Sequence, residues 1–340
     1  MARLSHGDLS RSKEIDMVLV CPKCQVRYRI TENEMTQERF LAKCSRCGHI
    51  FTAFKPQRVR EIHFLDLESA KKTPADQRVI AVSNQKGGVA KTTTCLNLGV
   101  ALTSKNNRVL LIDLDGQANL SAFLGHSATR SFYEAVEAPE QPLTDFICST
   151  LVPELFLLPS SKSLVLLNKK YLGAQGLEYI LKDRLTEIVK EFDFIVVDTP
   201  PSIGFFTLNA LTAAGLALIP STCDVFALHG VNRILDLTGV IRKNTNPNLE
   251  PRILVTLLDP NAVSSKVIFD RMIRMHGDKL MNSVINLDPK IQEAQIMRQP
   301  MVHYDKQSVS GRQYASLAAE VIQKNLSVTA AKNGWGGFKN

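Results

Sequence analysis

The stretch SNQKGGVAKTTT, Ser83–Thr94, decides how this chain reads. It follows an apolar run, VIAVS (79–83), and precedes a helical pattern opening near Thr92. That order of strand, glycine-bearing loop and helix turns backbone amides and a helix N-terminus toward a phosphate. Lys91 then supplies a point charge and Thr92 a magnesium-ligating hydroxyl. The ordinary GxxxxGK[ST] spacing fails, because it requires glycine where Gln85 and Ala90 stand. What fits is KGGxxK[ST], with an extra lysine, Lys86, ahead of the paired Gly87 and Gly88. Ala90 is harmless there if its φ is negative; a positive φ would strain it by about 1 kcal/mol or more.

Outward from the loop, apolar β-branched runs alternate with helical patterns. VLLID (109–113), ELFLLP (154–159), FIVVD (194–198), LALIP (216–220), ILVTLL (253–258) and SVIN (283–286) read as buried strands. Helical stretches lie between most of them, including 177–192, 226–243 and 264–276, the last with an apolar stripe of Ile268, Met272 and Met275. Continuous apolar strands with intervening helices predict an α/β fold, a mostly parallel twisted sheet flanked by helices, with ligands at the carboxyl ends of the strands.

The KGGxxK[ST] loop resembles the deviant Walker A loop of the ParA/Soj partition ATPases and their MinD relatives, within the P-loop NTPases. RVLLIDLDGQANLS (108–121) resembles the segment of that family whose second aspartate, here Asp115, positions or activates the attacking water, with Gly116 where proline is usual. FDFIVVDTPPSIG (192–204) resembles its Walker B strand and DxPP turn, and the third segment is TLLD with SVINLDPKIQEA and RQPMVHYDKQSVSGRQYASLAAEVI. The resemblance spans nearly all of 78–325. It implies ATP and Mg²⁺, a phosphate cradle of Gly87, Gly88, Val89, Ala90, Lys91, Thr92 and Thr93, and magnesium held by Thr92 near Asp113 and, through water, Asp198. Lys86, Lys91 and Asp115 are the implied catalytic groups. Lys86 would act on a partner's phosphates in an ATP-dependent homodimer, as an arginine finger does in trans. Asn286, Leu287 and Asp288 depart from the family's IPRN element, so its adenine contacts are not carried over.

The resemblance further implies binding of DNA without sequence preference, through phosphate contacts, and a ParB-like activating protein. Candidate DNA contacts are Lys266, Arg271 and Arg274 on the 264–276 helix, Lys290, which aligns with a basic contact position of relatives, and Arg298. A solvated basic face is the plainer reading of these charges. The alternative function is a MinD-like positioning ATPase at a membrane or protein scaffold. The tail TAAKNGWGGFKN, broken by Gly334, Gly336 and Gly337, makes a poor amphipathic membrane helix. Electron transfer of the nitrogenase-reductase kind would need interface cysteines, and Cys95, Cys148 and Cys223 read as core or near-core thiols, as His229 and His303 read as structural. A nucleotide-holding module without turnover conflicts with Lys86, Lys91, Thr92, Asp115 and Asp198 standing together.

Ahead of this domain, CPKC (21–24) and CSRC (44–47) are 19 residues apart, the spacing of a structural zinc site. Cys21, Cys24, Cys44 and Cys47 would give Zn²⁺ a closed four-thiolate site, suited to structure or recognition; an iron–sulfur site competes for the same ligands. VRYRI (26–30) and HIFTAF (49–54) alternate as short strands beside the two pairs, predicting a small β-type zinc ribbon. Arg27, Arg29, Lys43 and Arg46 make it basic.

Net charge is +8, and residues 1–75 hold 14 Lys/Arg against 9 Asp/Glu. Such a balance permits polyanionic partners without demanding them. No apolar run approaches the roughly 20 residues of a membrane helix, and MARLSHGDLSRSKEID lacks a signal-peptide core, so a cytoplasmic protein is expected; the family resemblance further implies association with the nucleoid. The expected organisation is a disordered N-terminus (1–16), zinc ribbon (17–55), linker (56–76), ATPase domain (77–328) and flexible tail (329–340).

Overall fold

The computed structural model describes residues 2–3, 17–24, 26–30, 39–54, 76–126, 130–171 and 174–333. The chain divides into two compact units, Met1–Leu65 and Asp66–Asn340. The expected disordered segment 1–16 lies outside the described residues except for Ala2–Arg3, and the expected linker does so up to residue 75.

The first unit is built from two hairpins around cysteine turns. β2 (Met17–Val20) pairs antiparallel with β3 (Arg27–Ile30), and β4 (Arg39–Lys43) with β5 (Ile50–Phe54). β1 (Ala2–Arg3) runs parallel to the end of β4. Among the described residues its core is Cys21, Tyr28, Ala42 and Cys44, with Cys24, Val26, Cys47 and Phe51 packed against it.

The second unit carries an eight-stranded sheet. Its strands are β6 (Asp76–Val82), β7 (Val109–Asp113), β8 (Cys148–Ser149), β9 (Leu155–Leu158), β10 (Phe194–Asp198), β11 (Ala214–Ser221), β12 (Glu250–Leu258) and β13 (Leu280–Asn286). The order is β13-β12-β11-β6-β10-β7-β9-β8, parallel except for the β8–β9 pair. All the expected strands form. β6 starts three residues earlier than its apolar run, at Asp76, and the two-residue edge strand β8 had no apolar run to announce it.

Successive side chains along the strands point to opposite faces, as the pleat requires, and both faces are covered. Ile80 and Val82, Val109 and Leu111, and Phe194 and Val196 join one core with α1 (Lys91–Thr103) and α11 (Val309–Asn333). The intervening residues, Val79, Ala81, Leu110, Ile112, Ile195 and Val197, are equally buried on the opposite face. Helices α6 (Phe205–Ala213) and α7 (Val225–Asn244) pack on the inner strands β11 and β6 or β12. Two-sided cover explains why these strands read as continuous apolar runs rather than alternating ones.

Three local expectations need correction. The helix expected over 177–192 is broken: α5 spans only Ile180–Leu185, between short 3₁₀ turns at Leu177–Tyr179 and Val189–Glu191. Thr186 N still donates to Lys182 O, but beyond it the ladder tightens to i→i−3 bonds, Ile188 N to Leu185 O and Glu191 N to Ile188 O. On α8 (Val263–His276), Ile268 and Met272 are buried but Met275, in the last turn, is exposed. Residues 329–333 continue α11 instead of opening a tail, since no breaker occurs before Gly334.

Candidate functional site

The phosphate loop lies where the strand order reverses. β6 is flanked by β10 on one side and β11 on the other, and such a switch point opens a crevice at the carboxyl ends. Ser83 N donates to Leu218 O at 3.0 Å, and Asn84 Nδ2 donates to Pro220 O at 2.7 Å while its Oδ1 accepts from Lys86 N. Val89 is buried, and its carbonyl accepts from Thr256 Oγ1. The loop is thus anchored at both ends before any ligand arrives.

Gly88 has φ +73°, and Ala90 follows at φ 61°, ψ 36°, with no side-chain cap on α1. The positive-φ alternative for Ala90 is the one realised. Alanine occupies a conformation that suits glycine, and the conformation leaves the first-turn amides of α1 free of a capping side chain. Lys91 is buried and donates to Lys86 O at 3.1 Å, folded onto the loop's own backbone. Burial lowers its pKa, against the opposing pull of Asp198 and Asp115.

Three carboxylates converge beside the loop. Asp198 ends β10 in register with Val82 of β6 and Asp113 of β7, so all three strands deliver their last residues at one level. Asp198 is buried, and neither of its carboxylate oxygens has a hydrogen-bond partner among the described residues. Burial first, then the charge of Asp113, pushes its pKa up to about 7, against the nearby Thr92 hydroxyl and Cys95 thiol. A buried carboxylate with two open oxygens beside a threonine hydroxyl and a lysine fits a hydrated magnesium ion.

Asp113 is differently placed. Its Oδ2 accepts from Ser121 N and Ser121 Oγ and its Oδ1 from Asp115 N, while burial raises its pKa to about 6. It therefore braces the turn that presents Asp115. Asp115 is half-buried, its Oδ1 accepting from Gln117 N and its carbonyl from Ser160 Oγ. At Gly116 a Cβ would stand 3.3 Å from Val165 Cγ1, a tight but not forbidding approach.

Lys86 has a partner that its motif does not disclose. Within this chain its Nζ forms an ion pair with Asp224 and donates to Thr222 Oγ1 at 3.3 Å. Asp224 is also the N-cap of α7, accepting from Phe226 N and Ala227 N at 3.0 Å each. Partial burial would raise its pKa, but bonds from Lys86 and Thr222 outweigh that and lower it. An aspartate just before a helical pattern is an N-cap signal, so its structural duty was legible; its link to Lys86 was not. Gly230 of α7 lets the helix approach this loop, since a Cβ there would meet Asn84 Oδ1 at 3.3 Å and Lys86 Cβ at 3.7 Å.

In the first unit, the sulfurs of Cys21, Cys24, Cys44 and Cys47 all lie within 4.8 Å of one another. Cys21–Cys47 and Cys24–Cys44 stand 3.7 and 3.5 Å apart, close to the roughly 3.8 Å edge of a tetrahedron with zinc–sulfur bonds near 2.3 Å. Matching backbone bonds, Cys21 N to Val26 O and Cys44 N to His49 O, form the two turns, and Gly48 takes φ +71°. The four thiols fit Zn²⁺.

The DNA-contact candidates are less unified. Lys266, Arg271 and Arg274 are exposed on α8, but Lys266 and Arg274 are about 12 Å apart along its axis. Lys290 opens α9 (Lys290–Ile296) in an ion pair with Asp305 at 2.6 Å, so part of its charge is already matched. Arg298 is exposed at φ 51°. Among the other cysteines, Cys95 is fully buried, its thiol pKa held well above the ordinary value by burial and then by Asp198. Cys223 is also buried and Cys148 half-buried. His229 and His303 belong to no metal cluster among the described residues. No helix of the described residues is long and apolar enough to cross a membrane.

A parallel α/β sheet with this loop, this second lysine and these strand-end carboxylates defines a P-loop nucleotide-binding domain of the deviant Walker kind. The family model of an AAA domain matches residues 77–251, and that of a zinc-ribbon domain matches 17–52. Within that class the chain belongs to the ParA/Soj family. It is 35% identical over 255 residues to the chromosome partitioning protein ParA of Caulobacter vibrioides, covering 73% of this chain and 94% of the relative. It is 32% identical over 248 residues to the sporulation initiation inhibitor protein Soj of Bacillus subtilis, covering 72% and 98%. Among solved structures, cobyrinic acid a,c-diamide synthase from Mycobacterium smegmatis with bound ATP analog and magnesium matches with TM-score 0.65 and 31% identity, over 74% of this chain and 97% of that one. The cell division ATPase MinD of Pyrococcus furiosus shares the fold, at TM-score 0.60 and 23% identity over 73% and 100%.

Proposed function

We propose that this chain is a Mg²⁺-dependent partition or positioning ATPase that dimerises on ATP, binds DNA without sequence preference in that state, and is released by hydrolysis that a partner protein stimulates. The observation carrying this reading is the meeting of the Lys86–Thr93 loop with Asp113, Asp115 and Asp198 at the carboxyl ends of three neighbouring strands. Lys91 and the amides of 87–93 hold the phosphates; Thr92 and Asp198 hold the magnesium ion, which neutralises phosphate charge when bound. Asp115, half-buried and braced by Asp113, orients the attacking water. Lys86 leaves Asp224 to meet a second copy's phosphates, which makes turnover depend on dimerisation.

The zinc ribbon and the ATPase domain act as separable modules in this proposal, and the protein works in the cytoplasm on the nucleoid. The test is co-sedimentation with non-specific DNA at fixed salt, comparing ATP, ADP and no nucleotide. The reading requires binding that needs ATP, weakens steeply with salt and disappears in Lys91→Ala. Binding indifferent to nucleotide would assign the contact to the ribbon. No binding in any state would move the function to a protein or membrane scaffold.

A further inference from the structure

α9 begins with Lys290 and ends against the phosphate helix. Gln295, in its last turn, donates from Nε2 to Thr93 Oγ1 at 3.2 Å. Thr93 lies in the first turn of α1, two residues after Lys91. A hydroxyl carries one hydrogen and two lone pairs, so a bond accepted from Gln295 leaves the Thr93 hydrogen free to be donated elsewhere. The backbone repeats the connection one turn on. Asn97, buried in α1, donates to Thr93 O at 2.8 Å and accepts from Met301 N at 2.7 Å, at the start of α10 (Met301–Tyr304). Residues 290–301 are therefore fastened to the first two turns of α1 through Thr93 and Asn97.

We infer that Gln295 is a positioning residue that turns the Thr93 hydroxyl into a donor aimed at a nucleotide phosphate, and so couples the filled phosphate loop to the helix headed by Lys290. The inference rests on the nucleotide site proposed above. When a phosphate takes the Thr93 hydrogen, the threonine oxygen becomes a better acceptor and its bond to Gln295 strengthens, since chained hydrogen bonds polarise one another. α9 is then held more firmly while nucleotide is bound.

The experiment measures Kd for a fluorescent ATP analogue with Mg²⁺ in the full chain, Gln295→Ala, Thr93→Val and the double variant. Gln295→Ala should weaken binding about threefold to tenfold, the range of one hydrogen bond. In the Thr93→Val background the same change should shift Kd less than twofold, because its target is gone. Gln295→Glu, which only accepts, should weaken binding more than Gln295→Ala. Amide exchange across 290–301 should slow on analogue binding in the unaltered chain and not in Gln295→Ala. Additive losses in the double variant, tight binding by Gln295→Glu, or equal slowing of exchange in both chains would overturn the inference. An unaltered chain that ignores the analogue would instead overturn the ATPase reading beneath it.

Discussion

Ala90 at φ 61° is a side chain in a backbone conformation that glycine adopts freely, and the strain can be recovered. The left-handed region penalises a Cβ by roughly 1–2 kcal/mol, while a glycine replacement loosens the unfolded chain by about 0.4–1 kcal/mol. Ala90→Gly should therefore stabilise the unliganded domain by about 0.5–1 kcal/mol. For a domain of this size that is a rise in Tm of roughly 1–4 °C, measurable by calorimetry. The helix supplies its own contrast. Ala101→Gly, eleven residues on in the last turn of α1 and buried, should lower stability by about 1 kcal/mol, since there glycine brings only flexibility and a lost methyl group. Ala118, at φ 53° before α2 (Asn119–Phe123), should behave as Ala90 does. A lower Tm for Ala90→Gly, or the same sign at positions 90 and 101, would refute the reasoning.

Asp198 and Asp113 hold their protons more tightly folded, at about 7 and about 6, than at the ordinary 3.8. The unliganded fold should thus be favoured at low pH and lose stability as pH rises from about 4 to about 7, on the order of a few kcal/mol. Asp198→Asn should be more stable than the unaltered chain at pH 8, with a gap that closes toward pH 5, and should gain nothing from Mg²⁺ with an ATP analogue; melting curves across pH decide this. Asp224→Ala removes the α7 cap and should lower stability by about 1 kcal/mol in urea titrations, the partly exposed ion pair adding little. In the ribbon, the Tyr28 hydroxyl accepts from Ser45 Oγ and Arg46 N, leaving its hydrogen for Cys44 Sγ at 3.0 Å. Tyr28→Phe should speed zinc release to a chelator about tenfold, and unchanged release would show that the bond does not tune the site.

The strands were legible because burial on both faces turns FIVVD or VLLID into an unbroken apolar run. Asp76, Gln77 and Arg78 extend β6 in polar residues that carry no such signal. The segment 177–192 has helical periodicity, but beyond Leu185 its backbone bonds tighten to i→i−3, a change that periodicity does not register. Of the site, the loop is legible from its place between an apolar strand and a helix, and its carboxylates from the resemblance of 108–121 and 192–204 to the family's segments. The partners of Lys86 and Thr93 do not, because Asp224 and Gln295 are brought to them only by the folding of distant segments. The sign of φ at Ala90 was equally beyond the sequence, being imposed by the anchored loop on either side.

Asp224 has more donors than it needs. With Lys86 gone, the carboxylate still receives Thr222 Oγ1 at 2.6 Å and the amides of Phe226 and Ala227. Departure of the lysine would therefore strand no buried charge and uncap no helix, so the position seen here and the one proposed in the dimer would differ mainly in which anion Lys86 meets. In the dimer proposed above, a weak local preference of this sort would yield to the phosphates of a second molecule without any refolding.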